Sequence, residues 1–143
     1  MSDQNDSRLR IGDPVKLKDS DLDLRGDVWQ LRTGRYVVVP DKGLDRIHVF
    51  RFDAARGKLV ACDPPFVAAR YGAIPRHVTF HPKAPYAYVV NEMDSTVNAY
   101  RWDTARGTLE PFQRVPTTPT SYVGDNTGAE IWIAPSGKFL YAS

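Results

Sequence analysis

The strongest constraint on the fold of this chain is an internal repeat with an offset of 50 residues. Residues 36–59 align with residues 86–109 without a gap, and aromatic, charged and turn residues recur in the same order. The clearest part is the sequence FRFDAARGKL, which returns as YRWDTARGTL. In both copies an aspartate opens a turn and a glycine supplies the left-handed backbone conformation before the next strand. The repeat predicts a fold built from equivalent supersecondary units.

A second match extends the repeat toward the C-terminus. The sequence HVTFHPKAPYAY at 77–88 aligns with EIWIAPSGKFLY at 130–141, an offset of 53 residues. The extra length falls in the loop 117–128, which is rich in Gly, Thr and Pro and tolerates insertion.

Short runs rich in β-branched and aromatic residues, each bounded by turn residues, predict the strands. The predicted strands lie near Val28–Leu31 and at Tyr36–Val39, Arg46–Phe52, Leu59–Ala61, His77–His81, Tyr86–Val90, Thr96–Trp102, Leu109–Val115, Glu130–Ala134 and Phe139–Ala142. No window shows a helical apolar period, so the fold class is predicted to be all-β.

Four strands in about 40–50 residues is the period of a β-propeller blade. We therefore predict a partial β-propeller of about two and a half four-stranded blades, because complete propellers have roughly four to eight. The blades are expected at about 28–66 and 77–115, with a half blade at 130–143. Residues 1–27 are polar and lack an apolar period, which predicts a disordered leader.

Composition excludes several classes of partner. Nineteen basic and 17 acidic residues give a net charge of +2, too small to predict binding to nucleic acid or an anionic membrane. No stretch approaches the roughly 18 apolar residues of a membrane span. The single cysteine, Cys62, excludes an intrachain disulfide, and the polar N-terminus has no secretory signal. A cytoplasmic location is expected.

Propeller geometry selects the candidate functional residues. The first strand of each blade lines the channel, and the loop between the second and third strands opens on the same face as the start of that strand. Arg76 and His77 stand at the start of one inner strand, and Glu130 stands at the matching place in the next. Asn91 and Glu92 lie in a loop on that face, and Asp41, Lys42 and Asp45 lie in the equivalent loop of the preceding blade.

These residue types suit acid–base chemistry on an anionic substrate. A histidine near a carboxylate can exchange protons near neutral pH, which makes His77 and Glu130 the predicted catalytic residues. Arg76 offers a planar fork for a carboxylate or phosphate, and Asn91 and Glu92 complete the predicted substrate-binding set. The same charged residues could instead bond backbone groups and hold neighbouring blades together. Neither a cofactor nor a metal site is predicted, because His77 and His81 would lie about 13 Å apart along a strand.

Several stretches resemble the lactonase family of seven-bladed propellers, also called the cycloisomerase 2 family, which includes 6-phosphogluconolactonases and carboxymuconate lactonizing enzymes. The resemblance runs from about Tyr36 to the C-terminus. Its motifs are VPDKGLDR at 39–46, PRHVTFHP at 75–82, YAYVVNEMDS at 86–95, AEI at 129–131 and PSGKFLYAS at 135–143.

The resemblance implies metal-free opening or closing of a lactone on a sugar acid or related carboxylic acid, and predicts hydrolysis of a small anionic lactone such as 6-phosphogluconolactone. It implies that one of His77 and Glu130 activates water, that the other assists the leaving oxygen, and that Arg76 binds the anionic group. Three features depart from the family. Trp132 stands where a histidine is common, residues 20–34 do not resemble an inner strand, and the family continues with further blades after Ser143.

Three hypotheses for the function therefore remain open. The chain is expected to be part of a lactone hydrolase, a non-catalytic propeller segment, or an inactive truncated product. An incomplete propeller exposes strand edges and an apolar sheet face, so self-association through the exposed blade edges is also predicted.

Overall fold

The computed structural model describes residues 30–32 and 35–143 of the 143-residue chain. The predicted leader at 1–27 and the predicted strand residue Val28 lie outside these residues. Within the described part, the secondary structure is entirely β, with no helix. Its strands are β1 Gln30–Arg32, β2 Tyr36–Asp41, β3 Arg46–Asp53, β4 Lys58–Ala68, β5 Pro75–Phe80, β6 Tyr86–Asn91, β7 Thr96–Asp103, β8 Thr108–Pro116, β9 Ile131–Ile133 and β10 Leu140–Ala142.

The strands form antiparallel meanders in which each strand pairs with its neighbour in sequence. Strands β1–β4 make one four-stranded sheet, the first blade, and β5–β8 make another, the second blade. Strands β9 and β10 pair as a two-stranded sheet, which we call the third sheet. The predicted all-β, partial-propeller architecture is confirmed.

Two strand boundaries differ from the sequence prediction in an instructive way. The last strand of the first blade was predicted at Leu59–Ala61, but β4 continues to Ala68. Its pairing with β3 shifts register between His48 and Phe50 and then resumes, with Arg46 opposite Ala68. The sequence CDPPF at 62–66 reads as a strand breaker, yet prolines are tolerated at irregularities on an edge strand. At the other end of the fold, β9 begins at Ile131, so Glu130 precedes the strand rather than opening it.

The main core lies between the first and second blades, whose apolar faces pack against each other. Its buried members are Tyr36, Val38, Ile47, Val49, Val78, Phe80, Ala87, Val89, Tyr100, Trp102 and Leu109. A smaller cluster of Val90, Val97 and Ile131 joins the second blade to the third sheet. Full burial of an aliphatic or aromatic side chain contributes about 1.5–3 kcal/mol, so these contacts fix the stacking of consecutive sheets.

The loops that lead into the inner strands β5 and β9 are held by residues at one repeat position. Asp45 and Ser95 are related by the offset of 50 and both adopt a positive φ, 50° and 49°. The Asp45 carboxylate accepts hydrogen bonds from the backbone N–H groups of Gly72 and Ile74, at 2.7 and 2.8 Å. The Ser95 hydroxyl donates to the carbonyl of Asn126 at 2.9 Å. Each residue thus tethers the segment that precedes the next inner strand.

Candidate functional site

The two predicted catalytic residues are in contact across neighbouring sheets. His77 lies in β5, Glu130 immediately precedes β9, and the distance from His77 Nδ1 to Glu130 Oε1 is 3.1 Å. The Glu130 oxygen also accepts a hydrogen bond from the backbone N–H of Ile131 at 2.8 Å. The His77 side chain is 17% exposed and that of Glu130 is 65% exposed. The backbone N–H of Ile131 therefore fixes the Glu130 carboxylate in this contact, and the Glu130 side chain remains largely exposed to solvent.

The contact defines the protonation of a neutral His77 ring. An ionised carboxylate can only accept hydrogen bonds, so the proton of a neutral imidazole facing Glu130 sits on Nδ1. The ring then carries its lone pair on Nε2, the atom that could take a proton from water. A carboxylate bonded to the opposite nitrogen also stabilises the imidazolium that would result. The pair is thus suited to general acid–base chemistry.

A β-bulge sets the direction of Arg76. Pro75 pairs with Asn91 and His77 pairs with Val90, so Arg76 is an extra residue in the ladder. Such a bulge interrupts the strict alternation of side chains and re-aims the residues beside it. The Arg76 Nη1 donates to Glu92 Oε2 at 2.9 Å. Two of the predicted substrate-binding residues, Arg76 and Glu92, are thereby brought together, and Arg76 immediately precedes His77 in sequence.

Lys42 joins this group; the sequence placed it in the equivalent loop of the preceding blade but not in the predicted substrate-binding set. Its Nζ lies 2.5 Å from the Glu92 Oε2 that also accepts from Arg76. The hydrogen bond from Lys42, with a further one from Arg76, holds the pKa of Glu92 below its usual value against a smaller opposing effect of burial. The available signal was the repeat, because Lys42 and Glu92 occupy the same position in consecutive blades.

Asn91, the remaining predicted substrate-binding residue, has a different environment. It is fully buried, and its Nδ2 donates to Thr96 Oγ1 at 2.9 Å. The Thr96 hydroxyl in turn donates to Asp94 Oδ1 at 2.6 Å. These bonds hold the β6–β7 loop in shape, and a substrate-binding role for Asn91 stays a prediction.

A backbone hydrogen bond connects the loop that contains Glu92 with the segment that precedes Glu130. The N–H of Gly128 donates to the carbonyl of Glu92 at 2.8 Å, which packs the segment before Glu130 against the β6–β7 loop. A Cβ at Gly128 would lie 2.5 Å from the carbonyl oxygen of Asn91, so only glycine allows this approach. Among the described residues no set of three His, Cys, Asp or Glu side chains is grouped as metal ligands would be.

Four-stranded antiparallel sheets that stack through their apolar faces, with polar residues at the start of the inner strands, define a β-propeller. Residues 28–143 match the sequence model of the family described as lactonase, 7-bladed beta-propeller. The chain belongs to this family.

The chain is similar to individual proteins, two of which carry lactonase names. The 6-phosphogluconolactonase of Pectobacterium carotovorum subsp. carotovorum (strain PC1) is 39% identical over 111 residues, which are 78% of this chain and 33% of the relative. The periplasmic gluconolactonase PpgL of Pseudomonas aeruginosa is similar in structure, with a TM-score of 0.69 and 29% identity over 76% of this chain and 30% of its own. A protein from Lactobacillus plantarum has a TM-score of 0.74 and 30% identity over 80% and 33% of the two chains. The chain thus spans about a third of the length of these relatives.

Proposed function

We propose that this chain is part of a lactone hydrolase that opens a sugar-acid lactone such as 6-phosphogluconolactone. The observation that carries the proposal is the 3.1 Å contact between His77 and Glu130, on neighbouring sheets at the start of the inner strands. The lactonase family and the 6-phosphogluconolactonase relative support the same reaction class.

The proposed reaction uses His77 as the group that moves the proton. His77 Nε2 takes a proton from water while the water oxygen bonds to the lactone carbonyl carbon. The resulting tetrahedral intermediate collapses, the bond from that carbon to the ring oxygen breaks, and the imidazolium returns its proton to the leaving alkoxide. Glu130 orients the ring through Nδ1 and stabilises its charged form. Arg76 binds the anionic part of the substrate.

A hydrolysis assay tests the proposal. Acid release from 6-phosphogluconolactone would be followed in a pH-stat with the spontaneous rate subtracted, for the 143-residue chain and for the Pectobacterium relative. Replacement of His77, or of the histidine aligned with it in the relative, by Gln is expected to lower the enzymatic rate by about 10²–10⁴-fold.

The matched control is Lys83→Met, an exposed residue in the β5–β6 turn. Its rate should equal that of the unmodified protein. Unchanged turnover of the relative after loss of its aligned histidine would remove His77 from the mechanism. Turnover by the relative with none by this chain would favour the alternative of a non-catalytic propeller segment.

We also propose that the chain self-associates through its exposed sheet edge. The third sheet has two strands, and Trp132 and Tyr141 in it and Phe139 directly before β10 are exposed to 64%, 59% and 62%. Exposed aromatic side chains beside an open strand edge favour association with another copy of the chain. Light scattering after size exclusion should give a mass above the 16.1 kDa monomer. A monomer at every concentration would contradict this proposal.

Carbohydrate metabolism in the cytoplasm is the setting we infer for this activity. The 6-phosphogluconolactonase relative supports it, whereas the periplasmic PpgL structure represents the other compartment in which this fold occurs. In the described residues there is no helix long and apolar enough to cross a membrane. We also propose the division into a leader at 1–27 and a propeller segment, which the start of the family match at residue 28 supports.

A further inference from the structure

Two cations from different blades share one carboxylate oxygen. Lys42 follows β2 in the first blade, and Arg76 lies in β5 of the second. Lys42 Nζ is 2.5 Å and Arg76 Nη1 is 2.9 Å from Glu92 Oε2, so the two nitrogens are no farther apart than the sum of these distances. Two donors this close can both bond to the oxygens of one small oxyanion.

The positive charge of this group exceeds its negative charge. One carboxylate, Glu92, faces two cations, and the hydrogen bond from Lys42 keeps the pKa of that carboxyl low, so it is ionised near neutral pH. The side chains of Lys42 and Arg76 are 47% and 33% exposed. The cations therefore remain accessible to a solute anion.

The carboxylates closest to Lys42 in sequence, Asp41 and Asp45, have other hydrogen-bond partners. Asp41 Oδ1 accepts hydrogen bonds from the backbone N–H groups of Gly43 and Leu44, at 2.9 and 3.1 Å. Its Oδ2 lies 3.4 Å from His48 Nε2. The carboxylate of Asp45 accepts the two backbone hydrogen bonds already described. In the part of the chain that the structure describes, neither of these carboxylates forms an ion pair with Lys42, whose ion-pair partner is Glu92.

We propose that Lys42 and Arg76 form an anion site spanning two blades, that this site binds the phosphoryl group of a phosphorylated sugar lactone, and that Glu92 positions the two cations. The inference deepens the proposed function and rests on it for the identity of the lactone. A phosphoryl group carries about 1.5–2 negative charges near pH 7 and three acceptor oxygens, which suits two donors from different directions. An uncharged sugar lactone gains nothing from this site.

The anion site adjoins the His77–Glu130 pair along strand β5. Arg76 and His77 are consecutive residues, so their Cα atoms are about 3.8 Å apart. The bulge at Arg76 interrupts the alternation that would otherwise place consecutive side chains on opposite faces of the strand, so we expect a lactone held by its phosphoryl group at Arg76 to reach His77. In this arrangement Lys42, from the first blade, determines specificity for a phosphorylated substrate, although neither His77 nor Glu130 belongs to that blade.

The test uses ligands that cannot be hydrolysed. Isothermal titration calorimetry would compare glucose 6-phosphate with glucose, which differ only in the phosphoryl group, on the 143-residue chain. We expect glucose 6-phosphate to bind at least tenfold more tightly than glucose, and Lys42→Met to weaken it roughly fivefold with no effect on glucose. Lys83→Met, which removes an exposed lysine in the β5–β6 turn, should bind as the unmodified chain does.

Three results would overturn the inference: no binding of glucose 6-phosphate by the unmodified chain, equal affinity for the two ligands, or undiminished affinity in Lys42→Met. Circular dichroism of the variant would verify its fold, which should persist because the Lys42 side chain is half-exposed. Loss of the proposed hydrolysis with preserved Lys42-dependent binding would refute the lactonase reaction and leave the anion site intact.

Discussion

The first and second blades contain similar hairpin sequences, β3–β4 and β7–β8, in different surroundings. Asp53 and Asp103 open the two turns with side-chain bonds to backbone N–H groups. Gly57 and Gly107 close them with φ values of 62° and 69°. The local conformation is therefore a property of the repeat itself, because both copies adopt it in separate sheets.

The two hairpins differ in what packs against them. Gly107 is buried, and a Cβ there would lie 2.4 Å from the ring of Tyr36 in the first blade. The Tyr36 hydroxyl donates to the carbonyl of Ala105 at 3.0 Å, and its ring meets Trp102 edge-on at 5.4 Å. Its repeat equivalent, Tyr86, packs instead on Phe112 of its own blade, at 5.5 Å. The repeated sequence determines the conformation of the turn. Whether the turn also stabilises the packing of the two blades depends on its contacts with the neighbouring blade.

The largest expected effect comes from replacing the glycine between the blades. Gly107→Ala should lower the free energy of unfolding by about 3 kcal/mol, because roughly 1–2 kcal/mol of left-handed strain adds to displacement of the Tyr36 ring. Urea denaturation followed by tryptophan fluorescence measures it. Gly57→Ala is the matched control and should lower the free energy of unfolding by about 1 kcal/mol. Gly57 has the same left-handed backbone conformation as Gly107 but is less buried. Equal losses at both positions would show that the interblade contact contributes nothing.

A smaller effect is expected from the tyrosine that bridges the blades. Tyr36→Phe removes the hydrogen bond to Ala105 and keeps the ring contacts, so it should cost about 1 kcal/mol of unfolding free energy. Tyr86→Phe makes the same change at the equivalent position and should have a smaller effect. The midpoints of urea unfolding for the two variants measure the difference. A larger loss from Tyr86→Phe would contradict the assignment of Tyr36 as the interblade residue.

The repeat offset predicted much of the site and nearly all of the sheet order. Because an offset of 53 maps residue 77 onto residue 130, His77 and Glu130 were expected at matching inner strands, and they lie in contact. The blades followed from the same reasoning, since each copy of a four-stranded meander has to bury its apolar face against the next.

Other features depend on geometry that no residue pattern contains. The bulge at Arg76 redirects its side chain toward Glu92, and nothing in the sequence PRHV marks an extra ladder residue. The role of Lys42 depends on the separation of two stacked blades, whereas the sequence gives only its equivalence to Glu92. Strand β4 extends beyond its predicted end because pairing with β3 resumes after Pro64 and Pro65. This pairing between strands overrides the local tendency of the prolines to end a strand.

The smallest difference between the two hairpins should appear at acid pH. The Asp103 carboxylate accepts backbone hydrogen bonds from Arg106 and Ala105, which lower its pKa from the usual 3.8, whereas Asp53 accepts a single longer backbone bond from Arg56 at 3.2 Å. Because the folded-state pKa is depressed, this contribution to stability is complete above the unfolded-state pKa and disappears as pH falls through the folded-state pKa.

Asp103→Asn should therefore make the unfolding free energy less dependent on pH below about 4. Little change is expected at pH 7, where the amide oxygen can still accept the two hydrogen bonds. Thermal unfolding from pH 2 to 7 of the unmodified chain and of Asp103→Asn measures this slope. An unchanged slope in Asp103→Asn would show that protonation of this carboxyl does not destabilise the turn.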